Sequence, residues 1–213
     1  MRLHSTRALA ALVTALALLV GTSGASANRL SMSESSFEMV WESITFTIEG
    51  GMGGPECALT LSGSFHSRTL SKTTGLLVGL VPDRQLEPEE CDNGGNARIA
   101  VLPGLAWHLR YRSFSGTLPT VASVSFDVVG AEFGWDLNGI QCLASVTQEQ
   151  PLPLTATVAR GVLVDVSTDE DTEIPMHDAG PESICDLAAP DMEAIGTGTI
   201  GDGSGGALAL GLI

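Results

Sequence analysis

The sequence is poor in basic and aromatic residues, and it lacks the motifs of common enzymes and metal sites. Lys and Arg number 10 against 25 Asp and Glu, and aromatic residues make up 5% of the chain. So acidic a chain repels the phosphate backbone of nucleic acids, and we expect no nucleic-acid partner. The spacings C-x-x-C, H-E-x-x-H and G-x-S-x-G are all absent. Nothing in the sequence therefore indicates a redox dithiol, a zinc peptidase or a nucleophile elbow.

The N-terminus has the layout of a secretory signal peptide. Arg2 and Arg7 lead into the apolar run at 8–20, which is shorter than the roughly 20 residues of a transmembrane helix. The segment ends in Ala-Ser-Ala, and we place the cleavage after Ala27. No later run is long and apolar enough to span a membrane. Loss of the two arginines takes the formal net charge from −15 to −17 on a secreted, extracellular chain of residues 28–213.

Four cysteines are spaced widely over the predicted mature chain. An even number of separate cysteines in an exported protein indicates disulfide bonds rather than metal ligation. Three connectivities are open. We favour Cys57 with Cys91 and Cys142 with Cys185, because these pairs close the shortest non-overlapping loops.

Short apolar runs alternate with turn residues along the rest of the chain. Leu59, Leu61 and Phe65, for example, share one face of a predicted strand whose other face is polar. Clusters of Gly, Pro, Asn and Asp separate such runs, and no amphipathic helix stands out. The sequence predicts one all-β domain over 28–213 with two disulfides, either an antiparallel β-sandwich or a closed β-barrel of about 9–12 short strands. Residues 28–36 are expected to be disordered.

The strand boundaries follow from the same alternation. Residues 69–82 are ambiguous, and their β-branched residues and glycines favour a strand over a short helix. The other predicted strands are 37–41, 43–48, 57–66, 97–102, 105–113, 121–129, 131–136, 140–147, 154–166, 193–200 and 206–213.

The segment GDGSGG at 201–206 differs from the Gly-Asp-Ser-Gly-Gly of chymotrypsin-like proteases because Gly203 interrupts it. No segment resembling the histidine or aspartate regions of those proteases precedes it. We interpret it as a hairpin loop before the final strand.

Two predicted strands carry a His-x-Arg pattern on the face opposite their apolar residues. His66 and Arg68 share one parity, and His108, Arg110 and Arg112 share another. If the two strands are neighbours, these side chains form a basic patch where guanidinium groups would bind a carboxylate or sulfate. The alternative is a solvent-exposed face that simply carries long polar side chains.

An acidic run is the best candidate for a metal site. Asp169, Asp171 and Glu173, with Asp165 and Glu170 close by, offer the hard oxygen ligands that calcium prefers. The run lacks the glycine and the ligand spacing of an EF-hand loop, and a solvated acidic loop is the alternative.

Taken together, these features favour a secreted, non-catalytic binding or surface-associated protein whose ligand is a small anion. One alternative is a secreted hydrolase that uses His66 or His108, which predicts a cleft holding a histidine beside a carboxylate. The other alternative is a structural domain stabilised by calcium.

Overall fold

The computed structural model describes residues 29–213 with gaps at 49–53, 88–90, 93–96, 103, 105, 138–139, 169–171, 179–184 and 186–190. The predicted signal peptide and its cleavage site lie outside the described residues. Within those residues, no helix is long and apolar enough to span a membrane.

The described residues form an all-β structure of sixteen strands. These are β1 (Arg29–Met32), β2 (Ser36–Ile48), β3 (Glu56–Phe65), β4 (Thr69–Ser71), β5 (Leu77–Glu87), β6 (Cys91–Asp92), β7 (Ala97–Val101), β8 (Trp107–Ser115), β9 (Ser123–Val129), β10 (Glu132–Leu137), β11 (Ile140–Ser145), β12 (Leu152–Ala159), β13 (Val162–Thr168), β14 (Glu173–Asp178), β15 (Asp191–Gly201) and β16 (Leu208–Leu212).

Eight of the strands close into an antiparallel barrel. Their order around the barrel is β2, β3, β5, β8, β9, β12, β13 and β15, and β15 pairs with β2 to complete the ring. A closed ring satisfies the backbone groups that an open sheet would leave exposed at its edges. The structure therefore confirms the barrel, one of the two architectures that the sequence predicted.

Two smaller sheets extend from the barrel. One continues from β15 through β14, β11, β10, β7 and β6, and the other from β13 through β16, β1 and β4. The disulfide Cys57–Cys91 joins barrel strand β3 to β6, and Cys142–Cys185 anchors residue 185 to β11. These are the two pairings that the sequence favoured.

Side chains fill the barrel interior. Phe37, Met39 and Trp41 face inward from the first half of β2, and Ile44 and Phe46 face inward from the second half. A β-bulge between Trp41 and Ile44 keeps both halves on the same face, so the predicted strands 37–41 and 43–48 are one strand. A cavity between Trp41, Trp107 and Phe133 in the interior has a volume of about 10 Å³, which is room for one water molecule. This cavity is too small for an organic ligand.

Other sequence predictions need correction. Residues 28–36 are not disordered throughout, because β1 pairs with β4 and β16 and its Leu30 is fully buried. The predicted strand 154–166 is a hairpin of β12 and β13 that turns at Arg160 and Gly161. Strands β6 and β14 were missed, since one has two residues and the other has a proline between its two buried apolar residues. Segment 69–82 contains strand and no helix, as expected, but a turn at 72–76 divides it into β4 and the start of β5.

Closure of the barrel requires a very close approach at Gly198 of β15. A Cβ atom there would lie 2.3 Å from the Val40 carbonyl oxygen and 2.9 Å from Trp41 Cγ. We expect Gly198→Ala to lower the free energy of unfolding by about 1–3 kcal/mol, because neither backbone nor indole can yield without distorting the pairing of β15 with β2. Urea denaturation measures the change. The control is Gly211→Ala, where a Cβ atom meets nothing within 4 Å, and equal effects of the two substitutions would contradict this account.

The only tyrosine of the sequence, Tyr111, lies inside the barrel on β8. Burial raises the pKa of its hydroxyl above the ordinary value. The neutral phenol is thus favoured in the folded state, and its contribution to stability is lost as the pH rises above the unfolded pKa of about 10. Tyrosinate absorbance should titrate at higher pH in the folded protein than in urea. Because no other tyrosine contributes, coincident midpoints would refute the burial of Tyr111.

Candidate functional site

The two His-x-Arg segments do not lie side by side: one is on β8 and the other follows β3. His66 follows β3 and is exposed, and its backbone N–H donates to the Val78 carbonyl of β5 at 2.8 Å. His108 lies on β8, opposite Leu80 of β5. The condition that the two strands be neighbours is not met, because β5 runs between β3 and β8. His66 and Arg68 lie in the bend between β3 and β4 and not on a strand, and the strand order could not be read from the sequence.

Arg110 and Arg112 converge on a carboxylate that the sequence analysis missed. Asp127 of β9 is 6% exposed and lies directly opposite Arg110 in the sheet. Nε and Nη2 of Arg110 donate to its Oδ2 at 3.1 and 2.9 Å, and Nη1 of Arg112 lies 3.6 Å from its Oδ1. Nη1 of Arg110 also donates to the Gln148 carbonyl at 3.2 Å. A lone aspartate in the apolar run of β9 was the signal available in the sequence.

These partners change the interpretation of the predicted basic patch. Arg68 donates from Nη1 to the Ser33 carbonyl at 3.2 Å, so all three arginines of the predicted basic patch have partners within the protein. The Nδ1 atom of His108 is buried and has no hydrogen-bond partner among the described residues. Among the described residues, Nδ1 of His108 therefore lacks the carboxylate partner that the hydrolase alternative predicts, and His66 is exposed.

The predicted calcium ligands are only partly visible. Asp169 and Asp171 lie outside the described residues, and Glu173 is exposed on β14 opposite Glu193 of β15. In the part of the chain that the structure describes, no group of three or more His, Cys, Asp or Glu side chains could hold a metal ion.

The GDGSGG segment is a loop organised by Asp202. Its Oδ1 accepts hydrogen bonds from Ser204 N and Oγ at 2.8 and 2.7 Å and from Gly206 N at 2.8 Å. The Ser204 hydroxyl, then the backbone N–H groups of Gly206 and Ser204, lower the pKa of the Asp202 carboxyl. The loop was predicted correctly, but it is not a hairpin, because β15 and β16 both pair with β13 and not with each other.

A groove at one end of the barrel combines apolar walls with an arginine. We call it the Arg160 groove. It has a volume of about 310 Å³ and lies between the turn of the β12–β13 hairpin, the 119–121 loop and β16. Hydrogen bonds from Leu210 N to Gly161 O at 2.7 Å and from Val158 N to Ala122 O at 2.8 Å hold these walls together. The lining residues are Pro119, Thr120, Val121, Val158, Arg160, Gly161, Leu210, Gly211 and Leu212.

The backbone holds Arg160 in an unusual conformation. Arg160 and Gly161 have φ values of 53° and 77° and join Ala159 to Val162 as a two-residue hairpin turn. Both positions of such a turn favour Asn or Gly, because a side chain with positive φ meets its own backbone. Arg160 forms no ion pair within the described residues, and it is the only Lys or Arg from residue 136 onward. An arginine-glycine pair between two apolar runs in an acidic segment was the signal that sequence reasoning overlooked.

A second groove of about 320 Å³ lies on the sheet formed by β7, β10 and β11. Its polar residues Arg98, Asp136 and Gln141 stand in one cross-strand row, and Gly134 leaves the neighbouring row shallow. Each of these three polar residues already interacts within the protein. This groove is therefore the weaker candidate for a charged ligand.

Comparisons with known proteins do not assign a function. No protein-family model matches the chain, and no curated protein matches it. Among solved structures, the chain is similar to DynF from the dynemicin biosynthesis pathway of Micromonospora chersina, at 12% sequence identity over 81% of each chain and with a TM-score of 0.44. A likeness of that degree carries no argument about function.

The Asp127 cluster makes a prediction about stability. In Asp127→Asn the two arginines lose their shared counter-charge while Arg110, with 19% of its side chain exposed, stays partly desolvated. We expect a loss of about 1–3 kcal/mol in the free energy of unfolding, measured in urea. Asp83→Asn, at an exposed position of β5, is the control. A result equal to that control would show that the cluster contributes nothing to the fold.

Proposed function

We propose that the protein is a secreted, non-catalytic binding protein for a small carboxylate with an apolar body, and that the Arg160 groove is its binding site. The observation that carries the proposal is the pairing of apolar walls with one arginine that has no ion-pair partner among the described residues. The proposed ligand is a small anion, as we expected from the sequence, but its site is not the one that the sequence predicted.

The dimensions and chemistry of the groove support a ligand of this class. Its volume of about 310 Å³ lies at the lower end of ligand pockets, which span about 300–1,000 Å³. Val121, Val158 and Leu210 offer an apolar surface to a hydrocarbon chain. The guanidinium of Arg160 offers two parallel N–H donors that match the two oxygens of a carboxylate.

The conformation of Arg160 also supports a binding role. A positive φ at a residue other than glycine costs of order 1 kcal/mol, and such strain is concentrated at functional sites. The fold would be served better by Asn at this position. Arginine supplies instead a cation at the edge of the groove, in a segment otherwise rich in acidic residues.

Secretion is part of the same proposal. The two disulfides agree with a protein of an oxidising compartment. The predicted signal peptide gives the route.

Titration calorimetry with octanoate tests the site. We expect Arg160→Gln to weaken octanoate binding by about tenfold or more, because a charge-assisted hydrogen bond contributes about 1.5–3 kcal/mol. Binding of the uncharged analogue octanol should not change. The control is Arg112→Gln, which removes an exposed guanidinium that does not line the groove. The proposal fails if the wild-type chain does not bind octanoate or if the two arginine variants bind it equally.

The strained turn separates binding from stability. We expect Arg160→Asn to raise the free energy of unfolding by about 0.5–1 kcal/mol, because Asn-Gly suits a turn with two positive φ values. The same variant should lose octanoate affinity. A variant that is less stable than the wild type would show that Arg160 serves the fold rather than a ligand.

A further inference from the structure

One edge of β16 borders the Arg160 groove without a neighbouring strand. β16 pairs with β1 along 210–212, but its pairing with β13 on the other side stops before 210. The last backbone hydrogen bond on that side runs from Leu210 N to Gly161 O at 2.7 Å, where the β12–β13 hairpin turns away. In the described part of the chain, Gly211 and Leu212 therefore line the groove with an unpaired strand edge.

The ladder between β16 and β1 shows which backbone groups point into the groove. Arg29 and Ile213 exchange two backbone hydrogen bonds, of 3.3 and 3.2 Å. In an antiparallel ladder, residue pairs that exchange hydrogen bonds alternate with pairs that exchange none. The backbone N–H and C=O of Leu212, one residue before Ile213, therefore point away from β1 and toward the groove. They give the groove a hydrogen-bond donor and an acceptor of the kind that an added strand uses.

This edge is accessible, and a cation stands at its end. Gly211 has no side chain, and a Cβ atom there would meet nothing within 4 Å. Arg160, which forms no ion pair among the described residues, lies at the turn where β13 leaves the edge. Val121 and Val158 supply apolar surface in the same groove. A backbone donor and acceptor, apolar side chains and a guanidinium together match the carboxyl end of a peptide.

We propose that the Arg160 groove takes the carboxyl end of an extended apolar peptide, which adds as a strand to the edge of β16. This inference rests on the proposed function and specifies its ligand. A peptide antiparallel to β16 lies on the line that β13 leaves at its turn, so its C-terminus points toward Gly161 and Arg160. A parallel peptide would instead bring its N-terminal end toward the guanidinium. Strand addition and capture of a terminal carboxylate are both known modes of peptide recognition.

The register of the peptide follows from Leu212. The penultimate peptide residue lies opposite Leu212 and exchanges two backbone hydrogen bonds with it. The last peptide residue lies opposite Gly211, where no side chain obstructs it, and its carboxylate meets the guanidinium of Arg160.

Titration calorimetry with the peptide acetyl-Ala-Leu-Val, which has a free carboxylate, tests the proposal. N-methylation of its leucine removes the N–H that donates to Leu212 O, and we expect binding to weaken about fivefold or more. The matched control is N-methylation of its alanine, whose N–H points away from β16, and it should change the affinity by less than about twofold. The C-terminal amide of the peptide should bind about tenfold or more weakly, and Arg160→Gln should weaken binding of the free acid only.

Octanoate, measured beside the peptide, separates this inference from the proposed function. Weaker binding of the leucine-methylated peptide alone, together with dependence on Arg160, supports strand addition. If octanoate binds through Arg160 but the peptide does not, or if all three peptides with a free carboxylate bind alike, strand addition is wrong and the carboxylate site stands. If neither octanoate nor the peptide binds, the inference and the proposed function both fail.

Discussion

Barrel closure between β15 and β2 is the constraint on which the rest of the structure depends. β15 pairs with β2 on one side and with β13 on the other, so its register determines the circumference of the ring. Gly198 permits the approach, because any larger residue would collide with the backbone of Val40. Both smaller sheets start beside this closure, one from β15 and the other from its second neighbour, β13. The Arg160 groove and the second groove owe their places to these extensions.

Closure also explains why the interior cavity between Trp41, Trp107 and Phe133 is so small. Eight strands form a ring just wide enough for side chains to fill, and here Trp41, Trp107 and their neighbours fill it. The Arg160 groove and the second groove both lie outside the barrel interior. The Arg160 groove lies where the β12–β13 turn leaves the ring, and turns can vary without disturbing the core.

The sequence predicted what depends on local pattern and failed where distant strands meet. Alternation identified Leu59 and Leu61 as inward-facing, and a comparison of loop lengths identified the pairing of Cys57 with Cys91. The order of the strands in the sheet could not be predicted, because no local pattern indicates that β5 separates His66 from His108. The sequence also did not predict the β-bulges, since an extra residue in a strand looks like the end of one strand and the start of another. Arg160 was missed because a turn position with positive φ is defined by the backbone and not by hydrophobic pattern.

The pairing of β1 with β16 has a consequence for synthesis. Leu30 lies opposite Leu212, so the first described strand is completed by the last one. Because the N-terminal end of a chain leaves the ribosome first, β1 is made before its partner β16. The sheet of β16, β1 and β4 can therefore assemble only after β16 has been released. This part of the molecule would report, in a pulse-labelling experiment, whether β16 has been made and has found β1.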